Sequence, residues 1–514
     1  MRLLLLVIFL LVEALAFSQG FNRRYDAFGG GDPQGGWNIE YRGDGYAVIS
    51  GMTSTDSLAP DFFLTHGSVL LTVLDIDGNV LFEQRRYRPY HTSVAGWANC
   101  CDTIPGGGYV VGGASEDTTG FDEVYLMRFD AEGDTLWTRV FGDPAGNKFW
   151  IGQQVKHTPD GDLVIVGLSD QNGPFNGFVL RTDGNGNELW RRIYAYNASS
   201  EGGIGAVALS ANGDLFTSGT RSVAPGNGDR WVQRLSPTGD VLWQASWGSD
   251  WHDGSTQVAT LNDGHLFICS GMGYGPNYTQ MRAYMAKLNS IDGAVIWERE
   301  YGPIADGIVL FSGKEYPNGD LIAAGVTNAN MGNGSGQQGL LCRTSSTGDS
   351  LWMYGYYYQD DVIERGQGRF YDVLPTADGG AIAAGAAYNP VDQGMPPGYS
   401  QDTWVVKVDA DGCIVPGCNV VGITEQATNL LDALRIWPNP AQGQCTVQLD
   451  LPASIGTGAL LLTVVAADGR VAQQHSIAGN GTHPLDLQGL SAGLYHVHVS
   501  QGGRWLTGGK VVVE

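Results

Sequence analysis

Apolar and polar residues alternate along this chain in short runs, and each run stops at a glycine-containing turn before any helical period develops. The segment Asp160 to Trp190 shows the unit once. A tight Asp160-Gly161 turn leads into an apolar run ending at Gly167, then a variable loop, a second run from Gly177 to Asp183, a Gly-Asn turn, and a third run opening with Leu189-Trp190. The first turn recurs at Asp44-Gly45, Gly106-Gly107, Asp160-Gly161, Asn212-Gly213, Asp263-Gly264, Asn318-Gly319 and Asp378-Gly379, at intervals of 51 to 62 residues. A second marker, Leu or Ile before Trp, falls at Trp137, Trp190, Trp243, Trp297 and Trp352, with Phe82 in the first copy.

A period this long, filled with short strands and no helix, predicts an all-β fold: a seven-bladed β-propeller with one blade per copy. The strand before each Asp-Gly turn would be innermost, and the Leu-Trp pair would fill the wedge between the outer parts of neighbouring blades. The seventh copy runs through Thr403 to Ile414 and lacks a fourth strand, while Asn22 to Gly30 resembles one. The N-terminal strand is therefore expected to complete the last blade and close the disc like a clasp, removing an exposed edge.

Residues 1–18 combine one basic residue, an apolar run and small residues at Ala16 and Ser18, the pattern of a secretory signal peptide, and no later stretch is long and apolar enough for a transmembrane anchor. The propeller would occupy residues 19–414 and a linker 415–431. Residues 432–514 hold short alternating strands that predict a small Ig-like β-sandwich. With 53 acidic against 29 basic residues, the net charge of −24 disfavours nucleic acid as a partner. The seven cysteines are Cys100, Cys101, Cys269, Cys342, Cys413, Cys418 and Cys445. Cys413 and Cys418 bracket a tight loop where the last copy ends, and a disulfide is expected there. Cys100 and Cys101 are adjacent and read either as packed thiols or as a vicinal disulfide.

Within the C-terminal region, Trp437-Pro438-Asn439-Pro440, Asp468-Gly469-Arg470, the run Leu490 to Tyr495 and the terminal Gly509-Lys510-Val511-Val512-Val513 together resemble the type A sorting domain of the Bacteroidetes type IX secretion system. That resemblance implies a partner, the type IX secretion machinery engaged through residues 432–514, followed by removal of the domain. It also implies a secreted product or one held at the outer cell surface. Asp134-Thr135-Leu136, Asp349-Ser350-Leu351 and three similar triplets resemble the O-glycosylation sequon of the same bacterial group.

Ligand sites favour variable loops on a rigid scaffold, and the longer, dissimilar connections of this chain are rich in aromatics. Trp97, Trp150, Trp251, His252 and Tyr357 are the ligand-binding candidates, and they suit a glycan, a peptide or an envelope protein. His252 and Asp253 are candidates for acid–base work, but no recurring acid–base pair, metal cluster or nucleotide loop accompanies them. The turns Asp75 to Asn79 and Asp183 to Glu188 have calcium-like oxygen spacing, which a Gly-Asn turn needs for its own backbone in any case. The recurrent Leu-Trp repeats resemble those of quinoprotein dehydrogenases, in seven copies where those enzymes have eight, and no cofactor site maps onto them. The expected function is thus a non-catalytic surface or secreted binding protein without a cofactor. The alternative is an extracellular hydrolase, lyase or cofactor-dependent enzyme using the same face.

Overall fold

A computed structural model describes residues 20–27, 34–54, 66–88, 91–96, 98–116, 122–143, 148–196, 202–224, 226–276, 280–328, 337–358, 367–388, 401–414, 433–451, 459–466, 470–501 and 504–514. Regular structure in them is almost wholly antiparallel β, grouped in small separate sheets. The third sheet shows the plan, with Trp150–His157, Leu163–Ser169, Asn176–Thr182 and Glu188–Tyr194 adjacent in that order. Its two middle strands are buried almost throughout, and its fourth strand is exposed where it begins. Runs such as LVIVG lose their polar alternation because both faces of the strand are covered by neighbouring sheets.

Six further sheets follow the plan, their first strands being Gln34–Tyr41, Thr92–Ala95 with Cys101–Thr103, Gly202–Leu209, Gln257–Thr260, Val309–Glu315 and Gln367–Pro375. The sheet that begins with Gln367–Pro375 takes its fourth strand from the other end of the chain. Phe21–Tyr25 pairs antiparallel with Gln401–Val408, placing Phe21 opposite Lys407 and Tyr25 opposite Thr403.

Side-chain packing joins the sheets. One buried cluster unites Ala47, Ile49 and Leu71 of the first sheet with Val111, Tyr125 and Phe129 of the second. Equivalent clusters link each later pair, and Phe21, Ile382 and Val405 of the seventh sheet pack on Ile39, Val48 and Leu74 of the first. A repeated contact locks the outer edges. The last turn of one sheet places a left-handed glycine on the aromatic of the preceding sheet: Gly186 on Trp137, Gly239 on Trp190, Gly293 on Trp243 and Gly348 on Trp297. A Cβ at Gly293 would stand 2.9 Å from the Trp243 ring, so glycine answers both the backbone angle and the close approach. The Trp243 indole also donates to the Ser290 carbonyl at 3.0 Å and that of Trp352 to Ala410 at 2.9 Å. At the chain's start, Phe21 meets Gly78 in the same manner. Only the aromatic half of the Leu-Trp pair fills the wedge, since Leu136, Leu189, Leu242 and Leu351 are more than half exposed.

The expected seven-bladed β-propeller is corrected on this evidence of pairing. No sheet among the described residues closes on itself; each stays a separate antiparallel unit of three to five strands, and the contact between units is packing instead of a continuous hydrogen-bonded ladder. The fold is an all-β chain of many small sheets. Toward the C-terminus, Leu434–Trp437, Gln444–Leu449 and Gly481–Asp486 form one sheet, and Val471–Ile477, Leu460–Ala466, Gly493–Gln501 and Arg504–Val513 form a second. The two share a core of Val447, Leu462, Val464, Val497 and Val511.

Cys413 is disulfide-bonded, at the position where a bridge was expected, and the other described cysteines are not. Cys100, Cys101, Cys269, Cys342 and Cys445 are buried free thiols, which settles the adjacent pair as packed thiols. Cys413 is buried at the end of the seventh sheet, and Cys418 lies outside the described residues.

Candidate functional site

The first strands of the seven sheets contact one another in succession, Gln367–Pro375 touching both Val309–Glu315 and Gln34–Tyr41. Their side chains form layers that can be counted back from the first turn. Four residues before it stand Glu40, Asp102, Lys156, Ala208, Ala259, Lys314 and Leu374. Six before it stand Asn38, Cys100, Gln154, Ala206, Gln257, Ser312 and Asp372. Five of these strands carry a register shift just before the second layer, between Gly36 and Asn38, Gly152 and Gln154, Ile204 and Ala206, Leu310 and Ser312, and Phe370 and Asp372. A bulge re-aims its extra residue. Three of those extra residues, Trp37, Phe311 and Tyr371, gather into an aromatic stack with ring centroids 4.4 Å (Trp37 to Tyr371) and 5.6 Å (Phe311 to Tyr371) apart.

The second sheet departs from this plan. Its first strand is broken into Thr92–Ala95 and Cys101–Thr103, and at the bulge position it carries Asn99 with φ of 60°, the one described non-glycine in the left-handed region. Asn99 reaches the sixth sheet: its Nδ2 donates to Ser312 Oγ at 3.4 Å and its Oδ1 accepts from Lys314 Nζ at 2.5 Å. The neighbouring Ala98 carbonyl accepts from Gln154 Nε2 at 2.6 Å.

A cavity of about 290 Å³ lies against these layers, lined by Asn99, Asp102, Gln154, Lys156, His157 and Lys314 on its polar side and by Val207, Leu209, Val258 and Ala259 on its apolar side. Asp102 and Lys156 pair at 3.4 Å, and the other Asp102 oxygen accepts the His157 backbone N–H at 2.7 Å. Fully buried Asp372 accepts from Asn38 Nδ2 at 2.7 Å, Ile39 N at 3.1 Å, Ser312 Oγ at 2.6 Å and Val373 N at 2.9 Å. Lys314 Nζ stands 3.9 Å from it. Glu40 keeps partial contact with open space but is enclosed by protein. Burial pushes its carboxyl up to about 7, with Asp102 and Asp372 adding to the rise and Lys156 and Lys314 opposing it. For Lys156, burial works against the charge, but Asp102, Glu40 and Asp372 outweigh it and hold the ammonium above its ordinary value. The arrangement sets a carboxylate beside a persistent cation on a cavity wall, with a protonatable carboxyl close behind.

The residues singled out from sequence lie elsewhere and do not converge. Trp150 is buried against Phe178 with the Arg191 guanidinium over its ring at 5.1 Å. Tyr357 is buried, and its carbonyl accepts from Asn22 Nδ2 at 3.2 Å. Trp251 is 39% exposed. His252 accepts the Gly254 N–H through Nδ1 at 2.8 Å, and burial holds its ring below the ordinary histidine range. Trp97 lies outside the described residues. Asp253, fully buried, accepts from Ser249 N, Ser249 Oγ and Gly273 N and pairs with buried Arg230 at 3.4 Å, so its oxygens are committed to holding a loop. The calcium-like turns use their carboxylates internally, Asp183 accepting from Asn185 N at 2.9 Å and Asn187 N at 2.8 Å, and no group of metal-ligating side chains gathers among the described residues.

Two expectations are corrected here. The binding-protein reading needed an aromatic face, and Trp150 and Tyr357 are instead packed inside the protein. The lean away from an enzyme needed an absent acid–base constellation, and Glu40, Asp102, Lys156 and Lys314 supply one. Each comes from a different repeat, so no local motif announces them. The signal was still present: aligning the copies on their first turn puts all four in one column.

These features define an exported all-β protein with a charged central cavity. Residues 435–514 match the secretion system C-terminal sorting domain, and the protein is accordingly secreted or displayed at the cell surface. Among the described residues no helix is long and apolar enough to cross a membrane. No curated protein matches the sequence. Similar solved structures include a luciferin-regenerating enzyme, 11% identical over 64% of this chain and 93% of that one at a TM-score of 0.34. An α-L-arabinanase of Penicillium chrysogenum complexed with arabinobiose is 11% identical over 74% and 94% at 0.40, and a protein of unknown function from Dyadobacter fermentans is 9% identical over 76% and 98% at 0.39. At TM-scores this low the likenesses carry no argument about activity.

Proposed function

We propose that residues 19–414 are an exported acid–base enzyme of hydrolase or lyase type working in the central cavity. In this reading residues 1–18 direct export, 415–431 are a linker, and 432–514 engage the type IX secretion machinery. The observation that carries the catalytic reading is the Asp102–Lys156 pair, 3.4 Å apart on the polar side of the half-open cavity. Asp102 takes a proton from water or substrate, and the Lys156 ammonium stabilises the negative charge that then develops. Glu40 acts through Lys156, exchanging a proton near neutral pH so that the cluster can change its net charge without moving. The test is a turnover screen of the secreted protein against esters, lactones, glycosides and acidic polysaccharides. Asp102→Asn should lower kcat by about 10²–10⁴-fold with the melting temperature little changed. Turnover surviving both Asp102→Asn and Lys156→Met would overturn the assignment, and a screen without any turnover would count against it.

A further inference from the structure

The same wall indicates what the cavity holds. Asp102 is the one carboxylate among the residues lining it, whereas Lys156 and Lys314 both line it. Asp372 is saturated by four other donors and reaches Lys314 Nζ only as a long ion pair at 3.9 Å, while the nearer acceptor of that ammonium is the neutral amide of Asn99. An ammonium has three N–H donors. Asp102 engages Lys156 at 3.4 Å, Asn99 and Asp372 engage Lys314, and Glu40 acts on both ammonium groups through its charge, so these contacts leave N–H donors on each ammonium unused. A partly buried cation whose nearest acceptor is neutral gains most from an anion. The opposite wall of Val207, Leu209, Val258 and Ala259 favours a ligand with a carbon skeleton over a bare inorganic ion.

We propose that the cavity binds a small organic anion, its carboxylate seated between the ammonium groups of Lys156 and Lys314 and its carbon skeleton against the Val207–Val258 wall. This deepens the acid–base reading by naming its substrate class, and it places Asp102 beside the bound skeleton.

Calorimetry of the full chain with D-glucuronate and D-glucose, which differ in the carboxylate, tests it directly. Glucuronate should bind and glucose should bind at least about tenfold more weakly. Lys314→Met should weaken glucuronate by about tenfold or more, and Asn99→Asp, which sets a competing carboxylate on the same ammonium without changing side-chain shape, should do likewise. Equal affinity for the two sugars, an unchanged glucuronate affinity in both variants, or no glucuronate binding to the unaltered protein would each overturn the anion site. Failure of the acid–base reading is separable: it would appear as turnover that survives Asp102→Asn, whatever glucuronate does.

Discussion

The two edges of each sheet have been treated differently. At the outer edge the same residues recur, with Trp137, Trp190, Trp243, Trp297 and Trp352 each lying beside a left-handed glycine of the next sheet or its equivalent, Gly412. At the inner edge the equivalent column reads Glu40, Asp102, Lys156, Ala208, Ala259, Lys314 and Leu374. Where a position does one mechanical task in every copy, one side chain suits all copies. Where seven strands face a shared space, identical charges would repel and identical apolar groups would merely fill it, so chemistry requires the copies to differ. The outer edge therefore carries stability, and the inner edge carries the site.

Mutations can break that division. The largest effect is expected where a buried charge loses its partner: Asp253→Ala strands Arg230, which is fully buried over the Tyr284 ring at 3.7 Å, and should cost about 3–5 kcal/mol in denaturant melts. Trp352→Ala removes a buried ring stacked on Tyr354 and the bond to Ala410, and about 3 kcal/mol is expected. Neither change should alter ligand affinity measured on the folded fraction.

Inner-edge changes should read out in pH. Folded Glu40 keeps its proton to about 7 against an ordinary 4.5, so between those values the folded state binds more protons than the unfolded one. Stability must then fall as pH rises through that window, by on the order of 1.4 kcal/mol per unit. Glu40→Gln should remove the fall, raising the melting temperature at pH 8 relative to the unaltered protein; a melting profile with the same pH slope in both would contradict the burial of this carboxyl. The C-terminal unit offers the opposite sign. Buried His498, with neither ring nitrogen bonded among the described residues, is lowered by burial to about 4 from 6.5. The unfolded state binds more protons in that interval, so this unit should lose stability as pH falls from 6.5 toward 4, and His498→Leu should flatten the acid side of its melting profile.

Much of the local structure was legible because it has local causes. Turns needing left-handed backbone advertise themselves with glycine, as at Gly186 and Gly239, and buried runs such as Leu163–Ser169 are apolar without interruption. The sorting domain was legible for a different reason, since its motifs lie close together in sequence. The cavity was not, because Asp102 and Lys314 are brought together only when the second and sixth sheets meet through Asn99. The aromatic candidates misled because large rings serve packing as readily as recognition, and Trp150 and Tyr357 serve packing.

The division between edges is tested most directly by measuring kcat and melting temperature together for Asp102→Asn and Trp352→Ala. The account predicts that Asp102→Asn lowers kcat by about 10²–10⁴-fold with little change in melting temperature, while Trp352→Ala melts many degrees lower yet keeps full turnover per folded molecule. Turnover retained by Asp102→Asn, or lost from well-folded Trp352→Ala, would contradict it.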